Sequence, residues 1–203
     1  DAVQNLAMEL CPQLGLSIPV GKDSLSMRTG WDDSGQKRSV ISPVSLVLTA
    51  VTPVEDVRQA WTPVLRADRG DTVLILIDLA AGKQRMGGSI LAQLLGEFGG
   101  EAPNLDDAES LRRLHRVCQE ARSHEGLVFA YHDRSDGGLL ACLAEMAFAG
   151  RCGLTLNLDL LTIDPVAADW GDFKIRPEQV AVQRDELTLK ALFNEELGVV
   201  LQV

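Results

Sequence analysis

The sequence predicts an α/β fold of the α+β type, and three observations lead to this prediction. From residue 67 onward, apolar branched runs and amphipathic segments follow the order strand, helix, helix, strand, helix, strand. Apolar residues make up 46% of the 203, enough for a substantial core. The turn sequence ADRGD begins at residue 67. We therefore predict two domains, 1–66 and 67–203, the second incomplete at its end.

Short segments make up the first predicted domain. Apolar residues spaced three and four apart predict a helix over 1–11. LGLSIPV (14–20) and VISPVSLVLTAV (40–51) are apolar, branched runs that predict strands. Between them, TGWDDSGQKRS (29–39) is polar and predicts a loop or a hairpin turn. EDVRQAWTPVL (55–65) predicts a short helix or a connector.

The second predicted domain begins with a buried strand, TVLILIDLA (72–80). GGSILAQLLGEFGG (87–100) predicts a helix that its last two glycines stop. The apolar stripe of that helix consists of Ile90, Leu91, Leu94, Leu95 and Phe98. DDAESLRRLHRVCQEARSHEG (106–126) predicts an amphipathic helix, and the negative charges of Asp106 and Asp107 suit its positive end.

The remaining elements continue the alternation of strands and helices. LVFAYH (127–132) and CGLTLNLDL (152–160) predict strands, and residues 138–149 predict a helix that is apolar almost all round. Residues 162–184 have no period, which predicts an exposed loop or insertion. DELTLKALFNEELG (185–198) predicts a short helix and a turn before the final strand.

Charge and composition exclude several classes of function. The net charge of −10 opposes a general nucleic-acid surface, which needs a basic stripe. No apolar run is long enough to span a membrane. The four cysteines have no C-x-x-C spacing, so we expect reduced thiols in a cytoplasmic protein. Because the chain starts without Met and within a helical pattern, we interpret it as a piece of a longer polypeptide.

The strongest functional signal is HDRSDGG, residues 132–138, between a predicted strand and a buried helix. A helix start presents unpaired N–H groups and partial positive charge, and Gly137 and Gly138 let an anion approach the backbone closely. Asp133 and Asp136 are hard oxygen ligands of the type that Mg²⁺ prefers. A cation bound between these carboxylates and a phosphate would offset the repulsion between their negative charges. Ser135 can donate to a phosphate oxygen or cap the helix.

A purely structural interpretation of this motif stays open. Aspartates often cap helices and form turns, and Asp133 and Asp136 can do only that. His132 can be a hydrogen-bonded imidazole of the interior. Arg134 is expected to pair with one of the two aspartates.

Three further segments are weaker candidates. IPVGKDSLSM (18–27) fails the Walker A pattern, but Lys22, Asp23 and Ser24 follow a predicted strand, and Lys22 can contact phosphate. The alternative is an exposed turn. AAGKQRMGGS (80–89) offers basic residues and a glycine-rich helix entrance, or simply a connecting loop. In FNEELG (193–198), Glu195 or Glu196 can face a site, but two acids before a glycine usually form a solvated turn, which is what we expect. No arrangement of nucleophile and base is recognisable, so the catalytic residues stay unknown.

The motifs LGLSIPVGKDSLSMRTGW, YHDRSDGGLLACLAEMAFAGRCGL and LFNEELGVVLQV strongly resemble the large, single-chain phosphoribosylformylglycinamidine synthases. The resemblance runs over most of the chain and is looser at 162–184. It implies an aminoimidazole-ribonucleotide-synthetase-like C-terminal domain, with helices over a mixed sheet, preceded by part of the N-terminal-type domain. It also implies de novo purine biosynthesis, in which formylglycinamide ribonucleotide, glutamine and ATP give formylglycinamidine ribonucleotide.

The resemblance also implies roles for individual residues. In the family, the first carboxylate of HDRSDGG binds Mg²⁺ and its serine contacts ATP or ADP, which maps onto Asp133 and Ser135. The family's other metal ligands and its glutaminase residues lie outside this sequence, so the rest of the same polypeptide is the expected partner. Two functions stay open. The chain supplies part of a working ligase site, or it is a scaffold that holds an auxiliary ADP without turnover.

Overall fold

The computed structural model describes residues 3–22, 27–42, 45–162 and 177–203. The chain divides into two compact units, Asp1–Val57 and Arg58–Val203. The domain boundary after residue 66 stays a prediction.

A helix and a hairpin form the regular part of the first unit. A π-helix, Gln4–Leu10, continues into α1, Cys11–Leu14, and ends at Gly15 with φ 72°. Strands β1 (Arg28–Asp33) and β2 (Gln36–Ile41) pair antiparallel. The predicted helix and hairpin turn are therefore confirmed.

Two strands predicted in this unit are wrong. Residues 16–20 have no regular structure, and the 40–51 run contributes only its first two residues to β2, while 45–51 form no strand. A strand needs a hydrogen-bonding neighbour, and within the described part of this unit β1 and β2 pair only with each other. Val47 and Val51 are consequently 87% and 92% exposed.

A three-stranded sheet organises the second unit. It consists of β3 (Leu74–Asp78), β4 (Ala130–Arg134) and β5 (Gly198–Gln202), in the order β3-β5-β4. Both pairings are antiparallel, so this sheet differs from the mixed sheet that we expected. Strand β5 lies in the centre, and every residue of it is buried. The α/β fold class is confirmed.

One helix covers this sheet and forms most of the core. It is α4, Gly138–Gly150, and its buried side chains cluster with residues from β4, β5 and the segment before β3. The cluster consists of Leu65, Ala130, Leu139, Cys142, Leu143, Met146 and Val200. Burying a side chain such as Met146, which is 0% exposed, contributes about 1.5–3 kcal/mol. The core therefore packs α4 against β4 and β5.

The two helices between β3 and β4 differ in how well they were predicted. Helix α3, Ala108–Arg122, is confirmed, and Asp107 caps it by accepting from the N–H groups of Glu109 and Ser110. Helix α2 spans only Ile90–Leu94, and the predicted stripe is wrong because Leu94, Leu95 and Phe98 are at least 69% exposed. Gly96, which follows the last turn with a φ of 72°, ends the helix early.

Near the end of the chain, the predicted strand at 152–160 is wrong. Residues 152–158 form no strand and lead into α5, Asp159–Thr162. Residues 163–176 of the predicted loop lie outside the described residues, while 177–184 are helical, which corrects that part of the loop. They begin α6, Pro177–Phe193, which contacts α4 and α5 and confirms the helix predicted before the last strand. No helix in the described ranges has the length and apolar character to cross a membrane.

Candidate functional site

The HDRSDGG motif forms the end of β4, a tight turn and the start of α4. Gly137 and Gly138 have φ of 82° and 69°, a conformation that favours glycine. A Cβ on Gly138 would lie 2.7 Å from the carbonyl oxygens of Leu192 and Asn194. The glycine is therefore required by close packing of α4 on the end of α6. The side chains of Asp133, Ser135 and Asp136 are exposed, as a ligand site requires.

The carboxylate of Asp133 lies at the surface and is oriented by a tyrosine. Tyr131 Oη donates to Asp133 Oδ1 over 2.6 Å, and its ring stacks on Trp61 with centroids 6.0 Å apart. Burial, and then this hydrogen bond, raise the pKa of Tyr131, so the phenol stays a donor. Beside Tyr131 and Trp61 lies a groove of about 350 Å³ along α3. Asp133 thus binds Tyr131 rather than capping α4.

Sequence reasoning missed Tyr131, although a signal was present. Side chains two residues apart in a strand point to the same face, so Tyr131 and Asp133 lie together on β4. The same alternation turns Arg134 inward. Expected to pair with Asp133 or Asp136, Arg134 is instead buried and donates to Asp78, to Glu196 O at 2.6 Å and to Leu197 O at 3.1 Å.

The second feature that the sequence did not predict is the set of internal contacts made by Glu195 and Glu196 in NEELG. Glu196 is 0% exposed, so the prediction of a solvated turn is wrong. Its carboxylate accepts from Arg85 Nε at 2.6 Å and from Arg85 Nη2 at 2.7 Å. Glu195 Oε1 accepts from the backbone N–H groups of Ile90 and Gly137, each at 2.8 Å. Both carboxylates therefore accept hydrogen bonds from groups within the protein.

Because of Glu195, a carboxylate of the chain itself lies where the sequence predicted a bound anion. The N–H of Gly137 donates to Glu195, and the N–H of Gly138 donates to the carbonyl of Ser135 at 2.9 Å. In this arrangement the two glycines shape the turn. The groups that remain exposed for a ligand are the side chains of Asp133, Ser135 and Asp136.

The glycine-rich loop before α2 is also engaged internally. Lys83 Nζ lies 2.9 Å from Asp106 Oδ2, and Arg85 contacts Asp106 as well as Glu196. Hydrogen bonds that Arg85 donates to Glu196, and then to Asp106, raise the pKa of Arg85, which keeps the guanidinium charged. Ser89 caps α2 by accepting from the N–H of Ala92. These contacts favour a connecting loop over an anion site.

The remaining candidates lie in the first unit. Lys22 is exposed, whereas Asp23 and Ser24 lie outside the described residues. In the second unit, His132 Nε2 lies 2.6 Å from Glu145 Oε2 on α4, which agrees with a hydrogen-bonded imidazole. All four cysteines are unpaired.

The exposed carboxylates of the HDRSDGG motif are the candidate ligands for a metal ion. Within the ranges that the structure describes, no three His, Cys, Asp or Glu residues cluster as metal ligands. In this motif, Asp133 and Asp136 offer exposed carboxylates of the hard type that suits Mg²⁺. The residues present could therefore supply part of the ligand set of a Mg²⁺ ion.

Two family descriptions match the chain in succession. Residues 1–53 match the FGAR-AT PurM_N-like domain, and residues 68–203 match the C-terminal domain of AIR synthase related proteins. The second match covers more than half of the chain. The chain belongs to the AIR synthase related protein family. This membership agrees with the α/β fold described above.

One curated relative is similar to this chain over the chain's full length. Phosphoribosylformylglycinamidine synthase of Schizosaccharomyces pombe is 46% identical over 205 residues, which cover 100% of this chain and 14% of the relative. The resemblance inferred from the motifs is thus confirmed. The chain spans about a seventh of that relative, so the activity of a whole protein is a matter for proposal.

Proposed function

We propose that this chain is part of a phosphoribosylformylglycinamidine synthase, a ligase of purine biosynthesis, and that it contributes to a Mg²⁺–nucleotide site. The whole enzyme would convert formylglycinamide ribonucleotide, glutamine and ATP to formylglycinamidine ribonucleotide. The remainder of the polypeptide, including a glutaminase domain, would be its partner. The single observation that carries the proposal is the exposed carboxylate of Asp133, which Tyr131 orients near the end of β4, shortly before α4 begins.

Each candidate residue has a defined part in this proposal. Asp133 supplies one oxygen ligand to Mg²⁺, and Ser135 donates to the nucleotide. Bound Mg²⁺ would neutralise phosphate charge beside the carboxylate. Gly137 and Gly138 form the turn that places both side chains. On sequence grounds alone, Lys22, Asp23 and Ser24 stay proposed nucleotide contacts. ATP or ADP and Mg²⁺ are thus the proposed cofactors.

A scaffold role is the second candidate, and one observation favours it. The turn between β4 and α4 is attached to a buried ionic network through Arg134 and Glu196, whose exposed fractions are 7% and 0%. A nucleotide bound to this turn would add its binding energy to the stability of the fold. In this version the chain carries an auxiliary ADP that is not turned over.

The metal–nucleotide proposal is tested by a matched pair of substitutions in the full-length polypeptide. Asp133→Asn removes the proposed ligand, while Asp136→Asn removes an exposed carboxylate from the same turn. Nucleotide released on denaturation is quantified per polypeptide, with and without prior Mg²⁺ removal. We expect a loss of at least tenfold for Asp133→Asn and little change for Asp136→Asn. Equal retention by both variants would refute the proposal.

Isotope exchange separates the two roles of the nucleotide. The full-length enzyme is incubated with labelled ATP, with and without the other substrates, and the label in the Asp133-dependent nucleotide is followed. If the chain is a scaffold, the bound ADP should stay unlabelled through many turnovers. Label that enters at the turnover rate supports the ligase role.

A further inference from the structure

The turn that carries Ser135 is attached at both ends to one short segment, Glu195–Leu197. At one end, the buried side chain of Arg134 donates to the carbonyls of Glu196 and Leu197. At the other end, the N–H of Gly137 donates to Glu195 Oε1 at 2.8 Å. Ser135 and Asp136 lie between these two attachments. Their position therefore depends on residues about 60 positions away along the chain.

Glu195 has a second contact that makes it more than a local cap. The same oxygen, Oε1, accepts from the N–H of Ile90, the first residue of α2, also at 2.8 Å. Two helix starts, which both present positive charge, thus converge on one carboxylate. A charge-assisted hydrogen bond is about twice as strong as a neutral one. Glu195 therefore fixes the start of α4 relative to α2.

The neighbouring residues keep Glu195 in place. Glu196 is fixed by Arg85, and its N–H contacts Asn194 Oδ1 at 3.3 Å. Gly198, which follows the segment, leaves room for Arg134, because a Cβ there would lie 3.2 Å from Arg134 Nη2. The backbone on both sides of Glu195 is thus fixed before any ligand binds. Such preorganisation lowers the ordering cost of binding.

We propose that Glu195 is a positioning residue for the nucleotide site, which places the Ser135 turn by joining Gly137 to Ile90. This inference rests on the proposed function, because it assumes that Asp133 and Ser135 meet a nucleotide. Glu195 touches neither nucleotide nor metal in this account. It acts through Gly137 and the turn.

The test uses graded substitutions of Glu195 in the full-length polypeptide. Glu195→Ala removes both hydrogen bonds, whereas Glu195→Gln keeps an acceptor oxygen and loses the charge. We expect the Kd for ADP with Mg²⁺ to rise at least tenfold in Glu195→Ala and to recover to within about threefold of wild type in Glu195→Gln. Leu76→Ala, which removes a side chain packed on the core, is the destabilised control and should bind ADP normally.

Hydrogen exchange provides a readout that needs no ligand. In Glu195→Gln, the amides of Gly137 and Ile90 should both exchange faster than in wild type, because one acceptor serves both. This measurement also covers the case in which Glu195→Ala fails to fold. Faster exchange at only one of the two amides would contradict the shared role.

The outcomes separate this inference from the function on which it rests. If Asp133→Asn lowers ADP binding and Glu195→Ala does not, the positioning role is refuted and the metal–nucleotide site stands. If Asp133→Asn binds ADP as wild type does, the proposed function itself fails. Loss of binding in Glu195→Gln equal to that in Glu195→Ala would also overturn the hydrogen-bond account.

Discussion

Arg85 and Glu196 form a two-point ion pair in the interior, with side chains 6% and 0% exposed. Arg85 Nε and Nη2 lie 2.6 and 2.7 Å from the two oxygens of Glu196, and the Arg85 N–H adds a third contact at 3.0 Å. The pair joins the loop before α2 to the segment that supports the candidate site. Its charges compensate each other away from water.

Removing the cation of this pair should destabilise the second unit strongly. Arg85→Met leaves the carboxylate of Glu196 buried without its partner, which costs about 3–5 kcal/mol. Native-state hydrogen exchange of β5 in the full-length protein measures this loss of opening free energy. The double variant Arg85→Met/Glu196→Leu should recover most of it. A double variant as unstable as the single one would contradict this explanation.

Gly138 should tolerate no side chain. Gly138→Ala would place a Cβ 2.7 Å from two backbone oxygens at a φ of 69°, and we expect a loss of more than about 3 kcal/mol from strain and displacement together. Gly126→Ala is the matched control, because φ is 79° there and no atom lies within 4 Å. It should cost only about 1–2 kcal/mol. Equal losses, measured by hydrogen exchange of α4, would show that packing on α6 does not matter.

The sequence predicted those parts of the fold whose pattern is local. Helix α4 and strand β5 were predicted because their apolar residues follow one another directly. The contacts of Glu195 and Glu196 were not predicted, because their partners at Ile90 and Arg85 lie 105 and 111 positions away. The apolar run at 45–51 has no partner strand within the described residues, and sequence alone cannot reveal that lack.

Tyr131 should matter to ligand binding and little to folding. Tyr131→Phe keeps the stacking surface for Trp61 and removes the hydroxyl that donates to Asp133. A hydrogen bond to a charged group contributes about 1.5–3 kcal/mol, and water that hydrates the freed carboxylate offsets part of this loss. We therefore expect the Mg²⁺ concentration needed for half-maximal ADP binding to rise about three- to tenfold. Titrating Mg²⁺ against ADP binding measures it. An unchanged Mg²⁺ dependence would show that Tyr131 does not orient Asp133 for the metal.

Cys142 should resist alkylation until strongly alkaline pH. Burial, and then the charge of Glu145, raise the pKa of its thiol from 9.0 to about 12. Because the folded pKa is the higher one, this thiol favours folding below pH 9, and that contribution is lost as pH rises towards about 12. Iodoacetamide labelling followed by mass spectrometry over a pH series tests this, with denatured protein as the control. Labelling of Cys142 in folded protein with a midpoint near 9 would contradict the raised pKa.

In the proposed site, Asp133 ligates a divalent cation that also binds nucleotide phosphate. A crystal structure of the full-length protein with ADP, in which Mn²⁺ replaces Mg²⁺, tests it most directly through anomalous scattering. The account predicts a Mn²⁺ peak about 2.1 Å from an Asp133 oxygen and in contact with phosphate. A nucleotide and its metal bound elsewhere, with Asp133 bonded only to Tyr131, would contradict it.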